Sequence, residues 1–328
     1  MDRPQGSSLD SVKFMRNPIV SIILFVHAPY ARFLPDSLGS ILAQSYSSLE
    51  VIVLGDGSEA VAKAVAAFGE DDRVSLVSQG HLPFLQAANE RMKEARGEYL
   101  GTWNSDDIYN KDHVKVLTEL LEASQETGAA FDNVEYVYDE SSANGVGCDP
   151  LAPASRLMIP RKQAERYDSR AVPLQKMFAD NLMAGPAALI RRSAFDRVGG
   201  YDKDIFLNCD LHWFYCIGAY FPIRFANYVG VRKRIHPLNN TAVNPHYEHG
   251  TRELENIRDQ YPEVYAAIGE GVFNKKLGRK YFRLGRYYDR LGDRTRAKEM
   301  YRKAMVLRKF SFRYHWEYLR TNLFAGAA

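Results

Sequence analysis

The first hundred residues alternate between two textures, and that alternation constrains the fold more than any other feature. Ile19-Val20-Ser21-Ile22-Ile23-Leu24-Phe25-Val26 is an apolar run rich in β-branched residues, as in a strand covered on both faces. Phe33 to Gln44 follows with Leu34, Leu38, Ile41 and Leu42 at helical spacing. Leu49 to Leu54 is a second strand, Ala60 to Phe68 a helix, and Arg73 to Val77 a third strand. Phe84 to Ala95 is a helix for which Gly97 is the expected C-cap, and Glu98 to Trp103 is a fourth strand. This rhythm predicts an α/β fold with a mostly parallel, Rossmann-like sheet and right-handed crossovers. Ligands of such sheets collect at the carboxyl ends of the strands. Asp56 and the pair Asp106-Asp107 fall at two of those ends.

Further on, strands are expected at Phe131 to Tyr138, Ala187 to Ile190 and Tyr228 to Ile235. Helices are expected at Val172 to Asp180, from Arg191 to the stop at Gly199-Gly200, and at Asp210 to Tyr220. The stretch from Tyr138 to about Asp168 reads as irregular. Beyond Thr251 the chain reads as helical, and Leu277, Gly278, Tyr281, Leu284, Gly285, Tyr288, Ala297, Tyr301 and Ala304 resemble one tetratricopeptide hairpin. The organisation predicted is a polar leader over residues 1–16, an α/β domain over 17–250 and a basic helical extension over 251–328.

Charge separates the two ends of the chain. Overall the formal charge is +3, but from Gly271 to Ala328 there are 16 Lys and Arg against 4 Asp and Glu, and elsewhere 27 against 36. The tail also carries Tyr287, Tyr288, Phe310, Phe312, Tyr314, Trp316 and Tyr318, a composition that suits an anionic membrane surface or a phosphate-rich partner. Cys148, Cys209 and Cys216 give neither a disulfide framework nor a zinc cluster. The longest apolar run, Pro18 to Val26, is too short to span a bilayer, and the leader is polar. A cytoplasmic location follows as the expectation, with peripheral contact at the inner face of the membrane through 271–328. Nucleic-acid binding is not expected, and the oligomeric state stays open.

Two adjacent carboxylates at a strand exit repel each other, and a hard divalent cation bridging to a diphosphate is the natural partner. Here the sequence resembles a family. Pro18 to Val26, Ser40-Ile41-Leu42-Ala43-Gln44-Ser45-Tyr46, Leu49-Glu50-Val51-Ile52-Val53 and Asp56-Gly57-Ser58 look like the opening of the family 2 inverting glycosyltransferases. Ala95-Arg96-Gly97-Glu98-Tyr99-Leu100 with Ser105-Asp106-Asp107 resembles its DxD-type metal motif. Arg191-Arg192-Ser193-Ala194-Phe195 with Val198-Gly199-Gly200-Tyr201-Asp202 is similar to the stretch before its catalytic-base helix. The resemblance runs from about Asn17 to Asn240.

What the resemblance implies is a GT-A fold that binds a nucleotide-diphosphate sugar, UDP-linked by preference, with Mn²⁺ or Mg²⁺. Asp56 would hydrogen-bond the base, and the backbone of Val26, His27 and Ala28 would line its pocket. Asp107 would hold the metal, Asp106 would face the ribose, the diphosphate or the metal, and His236 would complete the metal site. Arg232, Lys233 or Arg234 would pair with diphosphate oxygens, Arg234 being the first choice, and Asn89 would lie on the nucleotide side. Asp210, in Asn208-Cys209-Asp210-Leu211-His212-Trp213-Phe214, would be the general base for a glycan, glycolipid or polysaccharide hydroxyl. Plainer roles stay open: Asp56 as a turn former, Asp210 as an N-cap, His236 as a loop residue, Asn89 as a structural tie. Trp103, His212 and Trp213 either shape a sugar pocket or fill core. Two other functions compete, a catalytically silent membrane-associated module and a sugar-phosphate nucleotidyltransferase. The latter wants a glycine-rich phosphate loop where His27-Ala28-Pro29-Tyr30-Ala31 stands.

Overall fold

A computed structural model describes residues 19–138, 155–239, 246–309 and 311–323. The leader expected over 1–16, Cys148 and Asn240 lie outside the described residues.

Ten strands form one sheet: β1 (Val20–Val26), β2 (Leu49–Gly55), β3 (Val74–Ser78), β4 (Tyr99–Asn104), β5 (Ile108–Tyr109), β6 (Ala129–Tyr138), β7 (Ser155–Leu157), β8 (Arg170–Ala171), β9 (Ala188–Arg191) and β10 (Ile223–Ile235). The order is β3-β2-β1-β4-β9-β6-β10-β5, with β7 on β6 and β8 on β10. β3, β2, β1 and β4 are mutually parallel, as the strand–helix rhythm requires. β9 then runs antiparallel to both β4 and β6, so the sheet is mixed rather than uniformly wound. In β1, Val20, Ile22, Ile23, Leu24 and Val26 are wholly buried because helices cover both faces, which explains a run without polar alternation.

Three local readings are corrected. The stretch read as irregular contains β7 and the helix Arg161–Tyr167. The helix His113–Glu122, with Val114, Leu117, Leu120 and Leu121 buried, was not anticipated. Gly97 is not a C-cap: a Cβ there would stand 2.6 Å from the Ser21 amide and hydroxyl, so glycine lets the chain graze β1 on its way into β4. The Arg192 guanidinium instead serves the end of the helix Phe84–Glu94, donating to the Ala95 carbonyl at 2.5 Å and the Gly97 carbonyl at 2.7 Å. Its neighbour Arg191, buried, does the same for the helix His113–Glu122, donating to Leu121 and Thr127 carbonyls.

The C-terminal helices His246–Gln260, Pro262–Ile268, Glu270–Arg290, Arg294–Leu307 and Phe312–Leu323 share one core with the sheet's flanking helices. Leu254, Ile257, Phe273, Leu277 and Tyr281 pack with Leu174, Phe178 and Tyr215. Glu270–Arg290 and Arg294–Leu307 form a hairpin in which Gly285 admits the Tyr301 ring, since a Cβ would meet it at 2.8 Å. Among the described residues no helix is long and apolar enough to cross a membrane.

Candidate active site

β1 and β2 end in register, Val26 opposite Gly55, which brings the next residues of both strands together. The Asp56 carboxylate accepts the Ala28 amide at 2.7 Å and the Ser58 amide at 3.0 Å. Slight burial opposes its ionisation, but the hydrogen bonds from Ser58 and Ala28 prevail and hold the carboxyl below its usual range. The turn-forming and the site-lining roles therefore coincide, with Asp56 exposed at the sheet edge. Val26 is wholly buried, and the Ala28 amide is already spent on Asp56. The His27 ring lies against Phe84, centroids 5.2 Å apart.

β4 turns sharply at Ser105-Asp106-Asp107 and returns as β5, which pairs with Val231 and Arg232 of β10. That pairing sets the acidic turn against the end of β10. Asp106 Oδ2 lies 3.1 Å from His236 Nε2 and accepts Asn239 Nδ2 at 3.0 Å, all three residues buried. The Leu238 amide approaches His236 Nδ1 at 3.3 Å. Asp107, 1% exposed, has both oxygens engaged: Asn104 Nδ2 donates to one at 3.2 Å and the Arg234 amide to the other at 3.2 Å. Burial, reinforced by Asp106 and opposed by Lys233, pushes its carboxyl up to about 6. Asp107, Asp106 and His236 thus do not gather as a cage, and among the described residues no group of three or more His, Cys, Asp or Glu side chains does. Asp106 and His236 are the pair that meets, whereas the sequence put Asp107 first.

The basic run at the end of β10 divides between two faces. Side chains of a strand point alternately to its two faces. Arg234 donates to the Asp106 carbonyl at 3.3 Å and to Asp36 at 2.7 Å, lies over the Phe33 ring, and with Arg232 lines a cavity of 240 Å³ beside Asp36, Ile108 and Val137. Lys233 takes the opposite face, its ammonium 4.0 Å from Asp107. Asp107 chiefly, against the cost of burial and with help from Asp106, Tyr136 and Asp210, holds that ammonium up at about 12. One cation therefore senses three of the four expected carboxylates.

Asp210 sits in the first turn of the helix Cys209–Tyr220. The N-cap position belongs to Asn208, whose φ of 61° is left-handed, so Asp210 is not the cap. Asp210 Oδ2 accepts the Gly185 amide at 3.0 Å and Oδ1 the Leu211 amide at 2.8 Å. Gly185 eases that approach, for a Cβ would stand 3.3 Å from the Asp210 Cβ. Asn208 Nδ2 donates at 3.0 Å to Glu253 on the helix His246–Gln260, a carboxyl that burial, opposed by Lys276, pushes up to about 7. Lys276 is buried as well and donates to the Phe178 carbonyl, Asn181 Oδ1 and the Tyr215 hydroxyl. Gly185, Asn208 and Glu253 were not singled out from sequence; Glu253 lies in a helix of sequence HYEHGTRELENIRDQ, where one more acid gives no signal.

Other expected contacts are structural. Asn89 ties the helix Phe84–Glu94 to Tyr201, donating to its carbonyl at 2.9 Å and accepting its amide at 2.8 Å, which is the structural role left open for it. Tyr201 in turn meets the Thr102 hydroxyl at 2.6 Å. Trp103 and Trp213 are wholly buried, the former stacked on Tyr109 and the latter donating to the Gly199 carbonyl. His212 is buried against Tyr261, and burial pushes its imidazole down to about 4.

The model of the family described as "Glycosyl transferase family 2" matches residues 21–199. An uncharacterized glycosyltransferase of Rickettsia prowazekii is 24% identical over 232 residues, 70% of this chain and 68% of that protein. Among solved structures, residues 1–349 of Staphylococcus aureus TarS in complex with UDP-GlcNAc align with a TM-score of 0.62 at 12% identity, covering 92% of this chain and 89% of that one. The mannosyltransferase PcManGT of Pyrobaculum calidifontis, in complex with GDP-Man and Mn²⁺, aligns with a TM-score of 0.56 at 16% identity, covering 94% and 85%. The chain spans 50% of the longer TarS structure. These likenesses give the fold as GT-A.

Proposed function

The chain belongs to glycosyl transferase family 2, and we propose that it moves a sugar from a nucleotide-diphosphate donor, UDP-linked by preference, to a hydroxyl of a glycan, glycolipid or polysaccharide, with inversion. The observation that carries this reading is the convergence of Asp56, Asp106 and Asp107 at the carboxyl edge of the parallel strands, with Asp210 held by the Gly185 amide beside Thr102 of β4. Asp56 receives the base. Lys233, rather than Arg234, meets the diphosphate, where a fixed cation stabilises the charge that grows as the bond to the anomeric carbon breaks. Asp210 takes the proton of the acceptor hydroxyl while its oxygen attacks the anomeric carbon from the side opposite the departing diphosphate. The Gly185 and Leu211 amides fix the direction of that carboxylate.

The donor set fits one divalent cation: a carboxylate oxygen and an imidazole nitrogen 3.1 Å apart at Asp106 and His236, with diphosphate and water able to fill the other positions. Holding a cation through Nε2 would require the His236 ring proton on Nδ1, in place of the Leu238 contact. Mn²⁺ or Mg²⁺ supplies charge neutralisation of the leaving group when bound. Asp107 then acts as the buried counter-charge of Lys233.

Titration with UDP- and GDP-sugars, with and without Mn²⁺, tests donor binding; failure across the whole panel sinks the reading. Asp210→Asn is expected to keep donor affinity and lose transfer by at least a hundredfold, within the roughly 10²–10⁴ that general bases supply. Retained transfer would move the base elsewhere. A silent module is disfavoured because all four carboxylates are in place.

A further inference from the structure

The helix Glu270–Arg290 buries Leu277, Tyr281, Leu284 and Tyr288 and exposes Arg279, Arg283, Arg286 and Arg290 together with Lys275. At 3.6 residues per turn these five fall within an arc of about 80°, along about 22 Å of helix axis. Cations three and four apart on one face repel each other. A purely structural surface helix intersperses acids to relieve that repulsion, and here the acids are committed elsewhere. Asp289 and Glu317 hold Arg320, Asp293 holds Arg296, and Glu299 holds Lys303. Among the described residues no carboxylate pairs with Arg279, Arg283, Arg286, Arg290, Arg308 or Arg313.

The stripe also forms one wall of a cleft. Arg308 and Arg313, from the turn into the last helix, form the other wall of a cavity of 480 Å³ floored by Phe282 and Tyr314. Those two rings stack at 4.5 Å, and they seat the facing guanidinium groups: Arg313 lies 4.9 Å from the Phe282 centroid and Arg308 5.7 Å from that of Tyr314. Stacking on a ring orders a guanidinium without consuming its donors, which leaves the fork free for phosphate oxygens. A second cavity of 240 Å³ adjoins the first, shares Arg283 and Arg286, and adds Arg290 beside the stacked rings of Tyr247 and Tyr287. Two adjoining arginine cavities suit a ligand that presents several phosphates at once.

The helix Phe312–Leu323, which supplies Arg313, adds an apolar element. Phe312, Trp316 and Leu319 follow each other at i, i+4 and i+7 and are 81%, 54% and 51% exposed. Basic clefts beside exposed aromatic and aliphatic side chains are the two signals that interfacial membrane binding combines. We infer that the arginine cleft grips the phosphates of anionic lipid headgroups while Phe312, Trp316 and Leu319 enter the interface, so that these helices hold the enzyme on a membrane surface. The inference is independent of the transferase reading, since its test needs no turnover.

The test is co-sedimentation of the full chain with phosphatidylcholine vesicles, with and without phosphatidylglycerol, and with soluble polyphosphate as competitor. Capture is expected only by the anionic vesicles, weakening with salt. Arg279→Gln/Arg283→Gln/Arg286→Gln, all exposed positions, should weaken it on the order of a hundredfold, given the gain each basic residue makes near an anionic surface. The unaltered chain provides a second readout. Trp103 and Trp213 are buried, so a blue shift of tryptophan emission on adding anionic vesicles reports Trp316. Loss of that shift in Trp316→Phe completes the assignment. Binding of polyphosphate without capture by vesicles, equal capture of the triple variant, or an unchanged emission spectrum would each overturn the inference.

Discussion

Replacing Asn208 separates two physical effects at the helix that carries Asp210. Asn208 has a left-handed backbone with φ of 61° and donates to the buried Glu253 at 3.0 Å. Asn208→Gly keeps the backbone comfortable and removes the donor; above about pH 7, where Glu253 is ionised, a hydrogen bond to a buried charged group is worth about 1.5–3 kcal/mol. Asn208→Ala removes the same donor and puts a Cβ into a conformation that costs residues other than glycine and asparagine roughly 1–2 kcal/mol. Alanine is therefore expected to destabilise the chain by about 1 kcal/mol more than glycine, on a shared loss of about 2 kcal/mol. Guanidinium unfolding of both variants measures the two losses. In the same proteins, transfer should slow at unchanged donor KM, because Asn208 sets the start of the Asp210 helix. Equal destabilisation by alanine and glycine would refute the backbone argument. Losses below about 0.5 kcal/mol in both would show that the tie to Glu253 contributes nothing.

Other expectations follow from the same geometry. Gly230→Ala places a Cβ 1.9 Å from Asp132 Oδ2 and 2.1 Å from His113 Nδ1, so thermal unfolding should show a loss of about 2 kcal/mol or more; a wild-type melting curve would mean that this buried pair is loosely packed. Burial, opposed by His113, pushes the Asp132 carboxyl up to about 6, against about 4 when unfolded. The stabilisation tied to its protonated form is complete below about pH 4 and lost as pH rises through about 6, roughly 3 kcal/mol in all. Asp132→Asn should remove that slope, and parallel stability–pH curves for the two proteins would contradict it. Lys233→Gln should weaken donor binding about tenfold or more in calorimetric titration, with Arg234→Gln much nearer wild type; the reverse order would return the diphosphate to Arg234.

The parallel half of the sheet was legible because its signal is local. An apolar run followed by a helical period, repeated, buries both faces of a strand wherever the rest of the chain lies, and strand ends then locate Asp56, Asp106 and Asp107. Gly97 shows where that locality ends: its sequence neighbourhood suggested a helix cap, while its partner is Ser21 of a strand far earlier in the chain. The acidic turn is similar. Sequence placed two carboxylates side by side, but which one meets His236 depends on the pairing of β5 with β10, a contact more than a hundred residues long in sequence.

Sequence by itself determined the residue types gathered at the sheet edge, since carboxylates, an imidazole and a basic run are written in order along the chain. Only the tertiary structure decided which of them face one another. The parity of β10 sends the Lys233 ammonium to the Asp107 carboxylate and the Arg234 guanidinium to Asp36 and the Asp106 carbonyl, and the packing of the C-terminal helices brings Glu253 to Asn208. Side-chain direction alternates with every strand residue, and helix docking depends on distant surfaces, so no local pattern carries either choice.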